Sequence, residues 1–139
     1  MTKYKLAVDQ GYDFVCFGVS SHLKDFRVAW HMNRLKQFSF KRQSLTTQTR
    51  LGEQVEYAVF KNDDEKNHLR YFLVNNRSEA IPLVKEYRQF NLLILVEGFV
   101  DIFDADRFID EMQQLDAIQL ITTLPKEPIE RFQYDLFEQ

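Results

Sequence analysis

Ser21, His22 and Asp25 bring the three residue types of a hydrolytic triad into one short segment. A serine nucleophile needs a histidine base and an acid that orients the histidine, so these types suggest acyl-transfer chemistry. Working triads, however, gather from distant parts of a fold. The favoured interpretation is therefore a helix-capping serine, Ser20 or Ser21, beside a solvated histidine, and no catalytic residue is predicted.

Cys16 is the single cysteine of the 139 residues and the second candidate nucleophile. It lies within the apolar run 13–21, whereas a reactive thiol needs an electropositive and partly exposed setting. We therefore expect Cys16 to be a small buried side chain. One cysteine allows no disulfide within the chain, and the charged residues 1–14 do not read as a secretory signal. Together they predict a cytoplasmic protein.

Carboxylates cluster between residues 101 and 111, a composition that could serve a cation. The cluster comprises Asp101, Asp104, Asp106, Asp110 and Glu111. It lacks the third acid and the glycine of a calcium loop, and a helix cap and dipole explain acids at a helix N-terminus. The three histidines are far apart, and none of the four glycines belongs to a nucleotide-binding loop. Neither a metal nor a cofactor is predicted.

The formal net charge of −3 combines two halves of opposite sign. Residues 1–50 carry nine Lys and Arg against three Asp, whereas residues 51–139 carry nine against eighteen acids. Basic residues around Phe38 and Phe40 resemble an RNA-stacking strand, but an RNA-binding motif is missing and the total charge is acidic. The asymmetry instead favours attraction within the domain or between two copies of it. RNA binding stays the weakest alternative, and no membrane segment is predicted.

The elements that must position these residues are mostly short strands. Alternating or apolar runs predict strands over 4–8, 13–21, 38–42, 55–60, 69–74, 92–96 and 117–122. Residues 61–67 read as the turn of a hairpin, and 43–54 as a polar loop. This order predicts one α+β domain over residues 1–139, a two-layer fold with a mainly antiparallel sheet, two main helices and a short C-terminal helix.

The second main helix is predicted over 103–115, with Asp104 as its N-cap. Phe103 and Phe108 then stand on either side of the first turn, as in a hydrophobic staple. Pro128 can begin the short C-terminal helix, which carries apolar side chains. These are Ile129, Phe132 and Phe137.

The first main helix, predicted over 23–37, carries three stripes at helical spacing. Two are apolar, Leu23/Phe26/Trp30 and Val28/Met32/Leu35, and one is basic, Lys24/Arg27/His31/Arg34. A sheet covers only one side of such a helix. The other apolar stripe must meet a neighbouring helix, the C-terminal segment or a second chain. The acidic helix after Asp104 suits the basic stripe, either within one chain or in a homodimer.

The stretch LVKEYRQFNLLILVEG runs from a charged patch into a buried strand. It resembles the motif region of the IPExxxVDY family of small uncharacterised bacterial proteins. Residues 84–86 stand at I-P-E and residues 90–92 at V-D-Y; Glu86 is identical, Lys85 replaces the proline and Leu92 the tyrosine. The segments HLKDFRVAWHMNRL and AIQLITTLP resemble the family's early helix and late strand. The resemblance implies a bacterial protein and brings no activity with it.

Two classes of function are open at this point. The first, which the sequence favours, is a non-enzymatic protein–protein interaction module, either homodimeric or with another protein as partner. Its candidate surface comprises Lys24, Arg27, Trp30, His31, Arg34, Glu86 and Phe132. The second is a small-molecule-binding domain or enzyme with a pocket near Glu86. A flat apolar patch with Trp30 or Phe132 would favour the first, and a deep polar pocket with Glu86 the second.

Overall fold

The run LLILVEG forms the strand around which a six-stranded sheet is built. The computed structural model describes residues 13–35, 37–48, 52–132 and 136–137. The strands in chain order are β1 (Asp13–Ser20), β2 (Lys41–Gln48), β3 (Gln54–Asp64), β4 (Leu69–Asn75), β5 (Arg77–Ser78), β6 (Ile81–Pro82), β7 (Leu92–Gly98) and β8 (Leu120–Leu124). The large sheet has the order β2-β3-β4-β7-β1-β8, and β5 and β6 form a separate hairpin.

All described strand pairs are antiparallel, and β7 lies between β4 and β1. Residues 92–96 are buried, which explains their unbroken apolar sequence: a strand covered on both faces does not alternate. The predicted hairpin is confirmed, since β3 and β4 pair from Val59 opposite Val74 to Asp64 opposite Leu69. The predicted turn 61–67 is too long, because β3 continues to Asp64. The Asp64 carboxylate accepts a hydrogen bond from the backbone N of Asn67 and stabilises the connecting 65–67 turn.

Two helices cover one face of the sheet, α1 (Asp25–Asn33) and α2 (Ala105–Gln113). The core on this face combines strand residues with helix residues. Its members include Phe17, Tyr71, Leu73, Ile94 and Val96 from the strands, and Val28, Met32, Phe108 and Met112 from the helices. Each large apolar side chain buried here contributes roughly 1.5–3 kcal/mol to folding.

The other face of the sheet carries a second core. Strand residues such as Cys16, Phe72 and Leu95 pack there against the irregular segment 83–90 and the C-terminal end of the chain. The C-terminal cover consists of α3 (Glu127–Glu130) with buried Ile129, and of Leu136. The predicted α+β class, mainly antiparallel sheet and short C-terminal helix are confirmed. In addition, short elements form a thin layer on the sheet face opposite the two main helices.

The cap of α2 is confirmed in detail. The Asp104 side chain accepts a 3.1 Å hydrogen bond from the backbone N of Arg107. The rings of Phe103 and Phe108, on either side of the first turn, have centroids 5.5 Å apart. The capping carboxylate and the apolar contact together fix where the helix begins.

Several predicted boundaries are wrong. The first half of the predicted loop 43–54 belongs to β2, an edge strand whose polar residues pair through their backbone with β3, while Leu45 is buried. The first helix is shorter than 23–37, because Asn33 side-chain atoms bond the backbone N and O of Phe40 and turn the chain. The last strand is shifted to β8. The predicted strand 4–8 lies outside the described residues.

Ser21 does not cap α1, because its hydroxyl is used elsewhere. The hydroxyl donates to the carbonyl oxygen of Ala117 and accepts a 3.0 Å bond from the backbone N of Leu23. Lys24 stands at the N-cap position of α1 and makes no side-chain cap. Ser21 therefore ties the end of β1 to the segment before β8 rather than starting the helix.

Candidate functional site

The outer face of α1 is an exposed aromatic and basic surface. Phe26 and Trp30, one turn apart, are 54% and 53% exposed. Helical spacing places Arg27 and Arg34 on the same side as Trp30. We call this face the α1 surface; it comprises Lys24, Phe26, Arg27, Trp30, His31 and Arg34. It contains five of the seven residues predicted from the sequence, and adds Phe26.

Trp30 is held in place by its neighbours on α1. The guanidinium carbon of Arg34 lies 5.0 Å from the Trp30 ring centroid, within cation–π range. The His31 ring meets the Trp30 ring edge-on, with centroids 4.9 Å apart. The indole is therefore exposed but flanked on two sides. A tryptophan ordered beside an arginine is the kind of residue pair that dominates binding energy at protein interfaces.

The two apolar stripes of α1 have different environments. Val28 and Met32 are buried against the sheet, and Leu35 packs at the margin of the same core. Leu23 is partly buried there as well, whereas Phe26 and Trp30 point away from the core. The C-terminal residues Ile129 and Phe132 pack on the opposite face of the sheet. The C-terminal segment therefore does not cover the Phe26 and Trp30 side chains, which excludes one of the three neighbours considered for this stripe.

Charges on the α1 surface have no ionic partner among the residues that the structure describes. The salt bridges between described residues lie outside the α1 surface. They join Lys61 to Asp63, Arg70 to Glu97, Lys126 to Asp13 and Arg131 to Glu86. Asp25, at the start of α1, accepts hydrogen bonds from Asn75 Nδ2 and from the backbone N of Phe26. The surface therefore presents uncompensated positive charge around its two aromatic side chains.

An acidic surface lies on the second helix of the same sheet face. Asp106 and Asp110 are exposed and one turn apart on α2, and Asp101 precedes the helix. These three carboxylates form no salt bridge with another described residue. We call them the α2 acidic surface. The basic first part and the acidic second part of the sequence thus each contribute one helix to the same face of the sheet: α1 is basic and α2 is acidic.

Glu86 and Phe132 are brought together by Arg131, which the sequence did not indicate. The Arg131 guanidinium donates to both carboxylate oxygens of Glu86, at 3.2 Å and 3.0 Å. Its central carbon lies 4.9 Å from the Phe132 ring centroid. The bond from Arg131 is the main reason why the pKa of Glu86 lies below its usual value. Arg131 could have been anticipated only from its basic charge next to Phe132.

The seven predicted residues therefore form two separate groups. Five belong to the α1 surface, and Glu86 and Phe132 lie with Arg131 on the side of the sheet covered by the C-terminal segment. Glu86 does not belong to the lining of any of three clefts formed by described residues. A cleft of about 360 Å³ near its segment is lined by Arg77, Ala80, Pro82 and Arg88.

The segment that contains Glu86 is positioned by a buried asparagine. Asn76 is fully buried, and its Nδ2 donates to the carbonyl oxygens of Tyr87 and Phe90 at 3.0 and 3.1 Å. Its Oδ1 accepts a bond from the backbone N of Val84. Asn76 therefore satisfies backbone groups of a buried segment that has little regular structure of its own. The sequence gave no sign of this structural role, because Asn76 follows another asparagine in a polar stretch.

The candidate nucleophiles have other roles. The side chain of Ser21 bonds backbone atoms, His22 pairs with Gln119 and Asp25 with Asn75, so no triad forms. Cys16 is completely buried on β1, and burial raises the pKa of its thiol strongly. A thiol that does not ionise in the folded state is a poor nucleophile. The expectation of a buried Cys16 is confirmed.

Metal and RNA sites receive no structural support within the described residues. These contain no group of three or more His, Cys, Asp or Glu side chains that could hold a metal ion. Phe38 and Phe40 are buried in the core, with ring centroids 5.5 Å apart, whereas base stacking needs aromatic rings displayed on an exposed strand. Both precede β2 instead of lying on a strand. The resemblance of this segment to an RNA-stacking strand does not extend to its structure.

Comparisons with known proteins add no function. No protein-family model matches the chain, and no curated protein matches it significantly. Among the described helices, none combines the length and apolar character needed to cross a bilayer. The candidate sites therefore rest on the geometry of the chain itself.

Proposed function

We propose that this protein is a non-enzymatic interaction module that associates with a second copy of itself through the α1 surface. The observation that carries the proposal is the pair Phe26 and Trp30, each more than half exposed on one side of a helix whose other side is core. An aromatic pair exposed at helical spacing and flanked by arginine has the composition of an interface centre.

Charge complementarity supports another copy of the chain as the occupant of this surface. The α1 surface is basic and the α2 acidic surface is its opposite, and both lie on the same face of the sheet. A two-fold dimer can place α1 of each copy against α2 of the other, which creates two equivalent attractive contacts. Placing α1 against α1 would instead bring like charges together.

Sedimentation velocity or light scattering of the full chain tests the proposal. We expect the wild type to be a dimer and Trp30→Glu to be a monomer. The substitution places a charge where the dimer interface would bury the apolar indole. The matched control is Ile81→Lys, a change at an exposed apolar residue outside the α1 surface, which leaves the dimer intact. A wild-type chain that stays monomeric at high concentration refutes the proposal.

Charge reversal tests the pairing of the helices. One variant carries Lys24→Glu and Arg27→Glu, and the other carries Asp106→Lys and Asp110→Lys. Each variant alone brings like charges together twice and is expected to be monomeric. Their mixture restores attraction at both contacts and should form a heterodimer. If the second variant alone still dimerises, α1 does not contact α2 of its partner and this arrangement is wrong.

A further inference from the structure

A cleft of about 470 Å³ opens between the β3–β4 turn and the start of α2. Its lining contains four aromatic side chains, Phe38, Tyr71, Phe103 and Phe108. The Tyr71 ring centroid lies 5.1 Å from that of Phe38, 6.2 Å from that of Phe103 and 5.9 Å from that of Phe108. Tyr71 thus contacts all three phenylalanine rings of the lining. The volume falls in the range of small-molecule sites.

The polar lining of the cleft is predominantly acidic. Asp64, Asp104 and Glu111 contribute carboxylates, and Arg107 contributes the single positive charge of the lining. None of these four side chains forms a salt bridge within the described ranges. Asp64 and Asp104 accept hydrogen bonds from backbone N–H groups, and Glu111 accepts a long one from Gln37 Nε2. The lining therefore favours a positively charged occupant over an anion.

Tyr71 supplies a second observation that points to a ligand. Tyr71 is only 7% exposed and lines the cleft; no side-chain hydrogen bond between described residues involves its hydroxyl, which stays accessible from the cleft. Burial raises the pKa of Tyr71 to about 12, with further contributions from the negative charges of Asp64 and Glu111. The hydroxyl is therefore protonated and lies in a negative field, where a cation would be stabilised.

We propose that the Tyr71 cleft binds a small organic cation with an apolar body, an alkylammonium or quaternary ammonium compound. In this proposal the aromatic side chains of the lining attract the cation, and the carboxylates supply the counter-charge. Leu69 and exposed Ile102 in the lining provide apolar contact for the alkyl part. The site is distinct from the α1 surface, and the inference does not depend on dimer formation.

Choline and its neutral carbon isostere, 3,3-dimethylbutan-1-ol, form a matched pair of probes. Each is titrated into the full chain while two-dimensional amide NMR spectra are recorded, with sodium chloride as the ionic-strength control. We expect choline to shift resonances of residues 69–71 and 102–108. The isostere should bind at least about fivefold more weakly, because it has the same shape without the charge. Equal binding of the two probes would overturn the proposal.

Substitutions of charged lining residues test which of them affect the affinity for choline. Glu111→Gln keeps the size of the side chain and should weaken choline binding about threefold or more, whereas Arg107→Gln should strengthen it, because a like charge is removed. Asp116→Asn is the matched control, since Asp116 is an exposed acid just after α2 that lies outside both the lining and the α2 acidic surface. Equal losses in Glu111→Gln and Asp116→Asn would show only a general charge effect and would reject the site.

A monomeric background separates this inference from self-association. In the Lys24→Glu/Arg27→Glu variant, choline should still shift the same cleft resonances. Loss of those shifts would show that the cation does not bind in the cleft of the single chain, and the proposal would fail even if the dimer were established.

Discussion

The side-chain Oδ1 of Asn76 accepts a 2.8 Å hydrogen bond from the backbone N of Val84, in the buried interior of the protein. The amide nitrogen of the same side chain donates to two carbonyls farther along, those of Tyr87 and Phe90. One side chain thus satisfies three backbone groups of the segment that carries Glu86. This segment leads directly into the central strand β7 and covers one face of the sheet.

Asn76→Ala should therefore destabilise the protein by about 2–4 kcal/mol, because it leaves buried backbone groups unpaired. Asn76→Asp should be at least as damaging, since it keeps the acceptor but places a carboxylate against two carbonyl oxygens. Asn67→Ala, a change at an exposed asparagine, should cost less than about 1 kcal/mol. Urea denaturation measures all three, and similar free energies of unfolding for Asn76→Ala and Asn67→Ala would contradict the role of Asn76.

Gly98 ends β7 in a conformation that other residues avoid, with φ at +127°. A Cβ atom at this position would lie 2.1 Å from the carbonyl oxygen of His68. We expect Gly98→Ala to cost about 3 kcal/mol or more, from strain and overlap together. Gly52→Ala is the matched control: it also has a positive φ but open space around it, and should cost about 1 kcal/mol. Thermal unfolding that shows equal losses would exclude the close approach to His68.

The ion pair of Glu86 with Arg131 predicts a measurable pKa. In an NMR titration, the carboxyl carbon of Glu86 should titrate below the usual range of glutamate, chiefly because Arg131 donates to the charged form. Arg131→Gln should raise this pKa towards the usual value, whereas Arg88→Gln should leave it nearly unchanged. Since the folded-state pKa is the lower one, the pair stabilises the fold above the unfolded-state pKa. That contribution is lost as the pH falls through the folded-state value. A Glu86 pKa that does not respond to Arg131→Gln would show that the pair is absent in solution.

The raised pKa of Tyr71 predicts that the free energy of unfolding decreases at alkaline pH. Its pKa is raised from 10.0 to about 12, so the folded state keeps a proton that the unfolded chain releases. The stability from this group is fully present below pH 10 and falls as the pH rises towards 12. Denaturant titrations between pH 9 and 12 should therefore show a smaller loss in Tyr71→Phe than in the wild type. The buried Cys16 contributes in the same direction to both proteins, so it does not affect the comparison. Identical pH dependence would argue against the burial of Tyr71.

Cys16 predicts a difference in thiol reactivity between the folded and unfolded states. Its side chain is completely buried, and burial raises the thiol pKa, so neither access nor ionisation favours attack. We expect a thiol reagent at neutral pH to label the native protein slowly and the denatured protein rapidly. Rapid native labelling would contradict the burial of Cys16 and return it to the candidate nucleophiles.

Local signals in the sequence determined several elements of the fold. The apolar run 92–96 predicted the central strand, the alternation of 55–60 and 69–74 predicted the β3–β4 hairpin, and Asp104 with its flanking phenylalanines predicted the start of α2. Each of these patterns involves residues close together in the sequence, so it could be recognised without knowing the tertiary contacts. Helical spacing likewise predicted the basic stripe Lys24/Arg27/His31/Arg34 of α1 before any tertiary contact was known.

Tertiary structure alone decided the rest, because the forces involved act between distant residues. The polar strand β2 is held by backbone pairing with β3, which no side-chain pattern announces. Exposure of Trp30 depends on which elements cover α1, and the contact of Glu86 with Arg131 joins residues 45 positions apart. The aromatic and acidic lining around Tyr71 is assembled from three separate segments, so its charge and shape exist only once the chain has folded.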